Sequence, residues 1–168
     1  MRDDRHRWTP YDGAWSPYEV GGIAITPVTP ERQILISAPA VLSRHPGAIG
    51  WPDIATGDSY AISLRRDRVL LVNGPDMAEG WDDEIGQAVS DVTDAYSVFD
   101  LTGPKALELL KHGTEIGLQQ PSRSAARMLF GLGVFLYRHG AEDRFRLHVL
   151  RAQGQTAWQM LTGQAGRL

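Results

Sequence analysis

The order of apolar and polar positions predicts β-strands in several parts of the chain. Residues 60–64 alternate between the two classes, which is typical of a strand with one buried face. Residues 69–72 are apolar throughout, so we expect a central strand that is covered on both faces. Residues 145–149 alternate again, which indicates an antiparallel strand that turns His148 towards solvent.

Helices are predicted where a strand is followed by a segment whose apolar residues have helical spacing. In the clearest case a strand over about 92–101 leads through Gly103 to Pro104, whose missing N–H costs nothing at a first helical position. We expect this helix to end at Gly113 in a left-handed cap. Its buried stripe would consist of Ala106, Leu107 and Leu110.

The same strand-to-helix design is predicted twice more. After residues 69–72, Asp76 and Glu79 have the spacing of a capping box. The helix that they would begin places three apolar residues on one face: Trp81, Ile85 and Val89. The last unit ends in a helix that stops at Gly163. Its buried residues would be Ala157, Trp158 and Leu161.

Further apolar runs complete the predicted fold. Residues 22–25 and 33–36 are short strands separated by prolines, and a hairpin is expected from 127–130 and 134–137 around Gly131-Leu132-Gly133. The count is about seven strands and three or four helices. The fold class is therefore α+β, with a largely antiparallel sheet and helices packed on one side.

Residues 1–20 form a separate N-terminal arm in this interpretation, and residues 21–168 form the α+β domain, with two smaller halves of about 21–90 and 91–168 as an option. The arm is rich in proline and in large aromatic side chains, which are unfavourable in water. These aromatics pack either on the chain's own core or along a partner subunit. The residues that would bind the partner are Trp8, Tyr11, Trp15 and Tyr18.

Composition narrows the range of functions. The 168 residues carry a formal net charge of −3, and we expect no nucleic-acid partner because phosphate binding needs a basic surface. The absence of cysteine excludes disulfides and cysteine-based zinc sites. No apolar run approaches the ~20 residues that span a bilayer, and the N-terminus lacks the apolar segment of a secretory signal. We therefore expect a cytoplasmic protein without membrane contact.

Candidate chemistry is sparse in this sequence. The five histidines are scattered and form no pair with metal-binding spacing. Gly131-Leu132-Gly133 lacks the third glycine of a dinucleotide-binding loop and lies between two strands. The acidic residues 82–84 would fan around the expected helix instead of converging. We expect no catalytic, cofactor-binding or metal-binding residues in this chain.

Several segments, taken in order, resemble the gamma subunit of heterotetrameric sarcosine oxidase. The closest similarity is DVTDAYSVFDLTGPKALELLKHGTEIGL (91–118), in the region where that family shows Leu-Ser-Gly-Pro and a Leu-rich helix. The other similar segments are HPGAIGWPDIATGD (45–58), YAISLRRDRVLLVNGPDMAEGW (60–81), SAARMLFGLGVFLYRHG (124–140) and FRLHVLRAQGQTAWQML (145–161). Residues 1–20 depart from the family pattern.

The resemblance implies a fold related to the folate-binding domains of aminomethyltransferase, the T-protein of glycine cleavage. It implies the alpha, beta and delta subunits as partners, in an enzyme that oxidatively demethylates sarcosine or a related N-methyl amine. In that family FAD, FMN and NAD lie in the alpha and beta subunits, and tetrahydrofolate takes up the one-carbon unit at alpha. The gamma subunit carries no known catalytic residue and no cofactor.

Three hypotheses about function follow. A non-catalytic structural subunit would leave a large apolar patch exposed on the isolated chain. An autonomous folate-binding one-carbon protein would need a carboxylate in a cleft, for which Asp94 and Asp100 are the candidates. A stand-alone binding module differs from the first hypothesis only in the identity of its partner.

Overall fold

The computed structural model describes residues 15–114 and 120–168, which form two β-sheets and three α-helices. The strands of sheet A are β1 (Tyr18–Val20), β2 (Ile23–Val28), β4 (Ile54–Ala55), β9 (Tyr96–Thr102), β10 (Ala126–Leu129), β11 (Leu132–His139) and β12 (Phe145–Leu150). Their spatial order is β1-β2-β9-β12-β11-β10, all antiparallel, and β4 pairs in parallel with the end of β11.

Sheet B is smaller and entirely antiparallel. Its strands are β3 (Gln33–Ser37), β5 (Tyr60–Arg65), β6 (Arg68–Val72), β7 (Gly80–Asp82) and β8 (Gln87–Asp91). They lie in the order β5-β6-β3-β8-β7. The apolar run at 69–72 is the second strand of this sheet and is buried at every position, as its sequence predicts.

Layered packing places sheet A between helices and sheet B. The helices are α1 (Val41–Arg44), α2 (Ala106–Gly113) and α3 (Gly154–Ala165). One face of sheet A packs on α2 and α3, where Phe99 and Leu147 join Leu161 in one core. The other face packs on sheet B, where Tyr137 meets Ile62. The α+β class with largely antiparallel sheets is confirmed, whereas the division of residues 21–168 into two halves stays a prediction.

The helix predicted after residue 72 is wrong, because this segment forms the hairpin of β7 and β8. Gly80 and Gly86 both have positive φ, at +123° and +61°, which an α-helix does not accommodate. Glu79 caps no helix, since its carboxylate accepts the backbone N–H of Asp91 at 2.6 Å. Residues spaced by four fit a helix face and also one face of a strand, so the period was ambiguous.

The acidic residues 82–84 consequently end a strand and begin a turn. The Asp82 carboxylate accepts the backbone N–H groups of Glu84 and Ile85, at 3.0 and 3.3 Å. Trp81 and Ile85, predicted to share one face of a helix, are 62% and 47% exposed. The expected absence of a converging acidic pair thus rested on the wrong element.

The left-handed cap predicted for α2 and the end predicted for α3 are wrong, although α2 does end at Gly113 as predicted. Gly113 is the last residue of α2 but has no left-handed backbone. A Cβ at Gly113 would lie 2.6 Å from Cε1 of Phe130, so close packing explains the glycine instead. The C-terminal helix α3 passes Gly163 and continues to Ala165. In α2 the buried leucines are Leu109 and Leu110, while Leu107 is half-buried.

The predicted hairpin is present as β10 and β11, but its turn lies at residues 130–131 and not at 131–133. Its turn consists of Phe130 and Gly131, which both have positive φ, at +51° and +77°. Two central residues with positive φ match the right-handed twist of the flanking strands. This turn fixes the register that pairs Met128 with Gly133, and it thereby sets which side chains face sheet B.

Candidate partner interface

Sheet B covers only part of the sheet A face against which it packs. The part formed by β10 and the end of β12 stays open and borders a cavity of about 530 Å³. Met128 and Leu150 on this part are 42% and 49% exposed, which is unusual for such large apolar side chains. We call this surface the apolar shelf, and it consists of Tyr96, Ala126, Met128, Gly133, Phe135 and Leu150.

Three arginines border the apolar shelf. Arg127 lines the same cavity, and Arg65 and Arg68 line an adjoining cavity of about 100 Å³ that shares Tyr96. Within 15–114 and 120–168, neither Arg68 nor Arg127 forms an ion pair, and Arg65 makes only an exposed contact of 3.8 Å with Asp67. The rim of the shelf is therefore positively charged and largely uncompensated.

The rim is held close to the apolar floor. Arg127 donates N–H groups to the backbone oxygens of Ser124 and Ala126, at 3.0 and 2.8 Å. Burial lowers the pKa of Arg127, although a guanidinium stays charged at neutral pH. Burial raises the pKa of Tyr96, and the charge of Arg68 acts in the opposite direction. The Tyr96 hydroxyl consequently stays neutral beside the positive rim.

Under the covered part of the same face lies a chain of buried polar side chains. Arg146 donates two parallel hydrogen bonds to the carboxylate of Asp100, at 2.7 and 2.8 Å, and a third to the hydroxyl of Tyr60 at 2.9 Å. The hydroxyls of Tyr60 and Tyr137 are 2.8 Å apart. We call this set the polar network, and its members are Gln33, Tyr60, Asp100, Tyr137, Arg146 and His148.

The donors of the polar network run in one direction. The Gln33 side-chain N–H donates to the backbone oxygen of Thr93 at 3.1 Å, so Oε1 of Gln33 is free to accept. His148 then donates from Nδ1 to this oxygen at 2.7 Å and accepts at Nε2 from the Tyr137 hydroxyl, also at 2.7 Å. Tyr137 in turn accepts from Tyr60, so both tyrosine hydroxyls and the ring N–H of His148 have acceptors.

Burial fixes the charge state of the polar network. It lowers the pKa of His148 to about 3, with the charge of Arg146 acting the same way, so the imidazole is neutral at pH 7. Burial also raises the pKa of Tyr137. For Arg146, burial acts downwards, but the hydrogen bond to Asp100 and the contacts with Tyr60 outweigh it and raise the pKa.

The polar network joins the two sheets. Gln33 and Tyr60 come from sheet B, and Tyr137, Arg146 and His148 come from sheet A. The prediction that His148 faces solvent is wrong, because its side chain is fully buried. Alternation along β12 identified the two faces correctly, but it could not show that a second sheet covers the polar one.

The predicted partner-binding residues fall into two groups. Trp8 and Tyr11 lie outside the described residues. Trp15 is half-buried against the chain's own core, with its ring 4.8 Å from Phe99 and 6.0 Å from Trp158, and its indole N–H donates to Gln155.

Tyr18 begins β1 at the edge of sheet A and packs against the same core. Neither Trp15 nor Tyr18 belongs to the apolar shelf, and partner binding by all four predicted residues stays a prediction. The apolar shelf could not be predicted from the sequence, because nothing in the sequence around Met128 and Leu150 distinguishes an exposed apolar residue from a buried one.

The two carboxylates considered for folate chemistry lie in different surroundings. Asp100 is held by Arg146 inside the polar network, where both side chains are largely buried. Asp94 is exposed and lies 3.0 Å from Arg151 beside a cavity of about 270 Å³. Only Asp94 could therefore meet a dissolved ligand without a rearrangement of the fold.

The described ranges 15–114 and 120–168 contain neither a metal-binding cluster nor a membrane-spanning helix. No group of three or more His, Cys, Asp or Glu side chains in them could hold a metal ion. No helix in them is long and apolar enough to cross a membrane.

Comparison with known proteins places the fold. No family model matches the chain, and no curated protein matches its sequence. Among solved structures, heterotetrameric sarcosine oxidase from Corynebacterium sp. U-96, in complex with pyrrole 2-carboxylate, has a chain that matches with a TM-score of 0.66 and 17% identity. The match covers 86% of this chain and 84% of that one, so the two are similar in length.

A second solved structure matches over a smaller part of its length. Aminomethyltransferase T of the glycine cleavage system from Bartonella henselae has a TM-score of 0.53 and 13% identity, over 84% of this chain and 46% of that one. This chain therefore shares its α+β fold with a chain of a heterotetrameric sarcosine oxidase and with about half of an aminomethyltransferase.

Proposed function

We propose that this chain is a non-catalytic structural subunit of a multisubunit enzyme of the sarcosine oxidase type, and that it binds a partner subunit through the apolar shelf. The observation that carries the proposal is the shelf itself, an open apolar surface bordered by Arg65, Arg68 and Arg127. Large apolar patches with a polar rim are typical of protein–protein interfaces, in which arginine, methionine and aromatic residues are enriched.

The fold match also supports partner binding by this surface. The matched chain belongs to a protein described as heterotetrameric, and it has nearly the same length as this one. A chain of this length that is one subunit of four has partners to bind, and an open apolar surface is where such partners bind. The charge of the rim adds that the partner surface carries carboxylates around an apolar centre.

Finer assignments follow from the family resemblance and belong to the same proposal. The chain takes the place of the gamma subunit, with alpha, beta and delta subunits as partners in the cytoplasm. FAD, FMN, NAD and tetrahydrofolate are bound by those partners, and the assembly oxidatively demethylates sarcosine or a related N-methyl amine. This chain then contributes the positioning of a partner, without touching substrate.

Affinity purification of the tagged chain from its native cells tests the proposal. We expect a yellow eluate that shows flavin absorbance and contains two larger chains by mass spectrometry. Met128→Glu on the apolar shelf should reduce the recovered flavin at least tenfold, because it places a charge in the apolar centre of the interface. Met160→Glu is the matched control, since Met160 is similarly exposed, at 39%, but lies on α3 away from the shelf.

Two results would each contradict a different part of the proposal. Equal recovery of flavin with Met128→Glu and Met160→Glu would show that the apolar shelf is not the interface. A colourless eluate that contains only this chain would overturn the assignment to a flavoenzyme assembly. Circular dichroism of both variants confirms that each one is folded before the comparison is made.

The fold shared with an aminomethyltransferase favours one alternative, a folate-binding one-carbon protein. Asp94 is the accessible carboxylate for a pterin or an amine in this case. Calorimetric titration with tetrahydrofolate would then give a heat of binding that Asp94→Asn abolishes. Absence of heat with the wild-type chain removes this alternative and leaves the structural-subunit proposal untouched.

A further inference from the structure

A cavity of about 280 Å³ lies on the outer face of sheet B, between the end of α1 and the segment 121–125. It shares no residue with the apolar shelf or the polar network. Four of its residues are polar and four have small or apolar side chains. The lining consists of Leu42, His45, Pro46, Ala48, Gly50, Asp53, Ser63 and Arg123.

Backbone hydrogen bonds fix the walls of this cavity. Ile49 pairs with β5 through two bonds, from its N–H to Ala61 at 2.9 Å and from the Ser63 N–H to its own oxygen at 2.7 Å. A Cβ at Gly50 would lie 2.6 Å from the carbonyl carbon of Arg123, so only glycine allows this approach. The cavity is therefore formed before any ligand enters, which lowers the entropy lost on binding.

Ser63 supplies the strongest indication of a ligand. This residue lines the cavity and is only 2% exposed. Its hydroxyl has no hydrogen-bond partner among the described residues. Buried hydroxyls are nearly always hydrogen-bonded, so a group inside the cavity is the natural partner.

Two residues of opposite charge also line the cavity. Asp53 and Arg123 are both exposed, and neither forms an ion pair with any residue in the described part of the chain. The Asp53 carboxylate is held in place because one oxygen accepts the backbone N–H of Gly50 at 3.1 Å. Burial and the charge of Arg44 lower the pKa of His45, so this lining residue is neutral at pH 7.

We propose that this cavity binds a small zwitterionic amino acid. Its carboxylate would bind the Arg123 guanidinium and accept a hydrogen bond from the Ser63 hydroxyl, and its ammonium group would bind Asp53. The lining residues Leu42 and Pro46 add an apolar part of the wall that the carbon atoms of such a ligand would contact. The site uses residues of this chain alone, so it does not depend on the proposed assembly.

Ligand-observed saturation-transfer NMR on the full chain tests the class of ligand. Glycine is the probe, and acetate and methylammonium are analogues that carry one of its two charges. We expect glycine to bind at least tenfold more tightly than either analogue, because each lacks one charge-assisted contact. Acetate binding as tightly as glycine would overturn the zwitterion assignment, and no saturation transfer to glycine would overturn the site.

Variants test the residues. Ser63→Ala, Arg123→Gln and Asp53→Asn should each weaken glycine binding about tenfold. Ser63→Ala should also leave the melting temperature unchanged or raise it, because it removes a buried hydroxyl without a protein partner. Arg151→Gln is the control arginine and should bind glycine like the wild type. Wild-type affinity in all three cavity variants would show that the ligand binds elsewhere.

Discussion

One face of sheet A is divided into a half that sheet B covers and a half that stays open. The two halves differ in which side chains are buried and which have partners. The half under sheet B holds the polar network, whose charged and polar groups are buried and hydrogen-bonded. The open half holds the apolar shelf, where Met128 and Leu150 are exposed, while Arg68 and Arg127 beside it form no ion pair in the described part of the chain. This is the reverse of the usual distribution of polar and apolar groups.

The difference shows which half is complete. A buried polar group is tolerated only when its hydrogen bonds are made, and sheet B supplies them through Gln33 and Tyr60. The apolar shelf lacks such a cover. Both its apolar area and its rim charges would be stabilised by a surface packed against them. A partner that brings an apolar centre and carboxylates would do for the open half what sheet B does for the covered half.

Removal of one arginine from each half should give the largest contrast. Arg146→Met leaves the carboxylate of Asp100 buried without its partner, and we expect a loss of about 3 to 5 kcal/mol in the free energy of unfolding. Arg68→Met on the rim of the shelf should change this free energy little, because no described side chain bonds to that guanidinium. Urea denaturation followed by tryptophan fluorescence measures both variants.

Similar losses for Arg146→Met and Arg68→Met would contradict this view of the two halves. The same experiment can be sharpened with Asp100→Asn in the Arg146→Met background. The double variant should recover part of the lost stability, because the buried unpaired charge is then gone.

The neutral state of His148 predicts how stability depends on pH. Its pKa is about 3 in the folded chain and about 6.5 when unfolded, so the unfolded state alone takes up a proton between these values. Its contribution is complete above pH 6.5 and is lost as the pH falls towards 3. In His148→Gln this position cannot titrate. From pH 6 to pH 4 the wild type should therefore lose roughly 2 to 3 kcal/mol more than the variant.

Parallel urea titrations of the wild type and His148→Gln at several pH values provide the measurement. His139, whose pKa is also lowered by burial, is present in both proteins and cancels in the difference. Parallel pH curves for the two proteins would mean that water reaches His148 and that the covered half is not closed.

Sequence patterns predicted several strands of the fold correctly. Alternation identified β5 and β12, the continuous apolar run identified β6, and two apolar segments around a glycine identified the hairpin of β10 and β11. These signals are local, because the side chains of one strand report its own two faces. The family resemblance added the right fold relationship, which local patterns could not supply.

Features that depend on contacts between distant segments could not be predicted from the sequence. The spacing of Trp81, Ile85 and Val89 suited a helix, and only the pairing of β8 with β3 decides for a strand. His148 was assigned to the surface because nothing near it in the chain indicates that Gln33, 115 residues away, closes over it. The apolar shelf is likewise a property of where sheet B ends, and no residue of the shelf encodes that boundary.

The smallest contrast compares the same chemical change in both halves. Tyr137→Phe removes the hydroxyl between Tyr60 and His148, so it leaves buried polar atoms on both sides without a partner and should cost about 1 to 2 kcal/mol of unfolding free energy. Tyr96→Phe on the apolar shelf removes a hydroxyl that bonds to no described residue, and its effect should lie below about 0.5 kcal/mol. Thermal and urea unfolding of the two variants give the comparison. If Tyr96→Phe proved the more damaging change, the shelf would already be a structured part of the isolated chain, and the argument that it awaits a partner would fail.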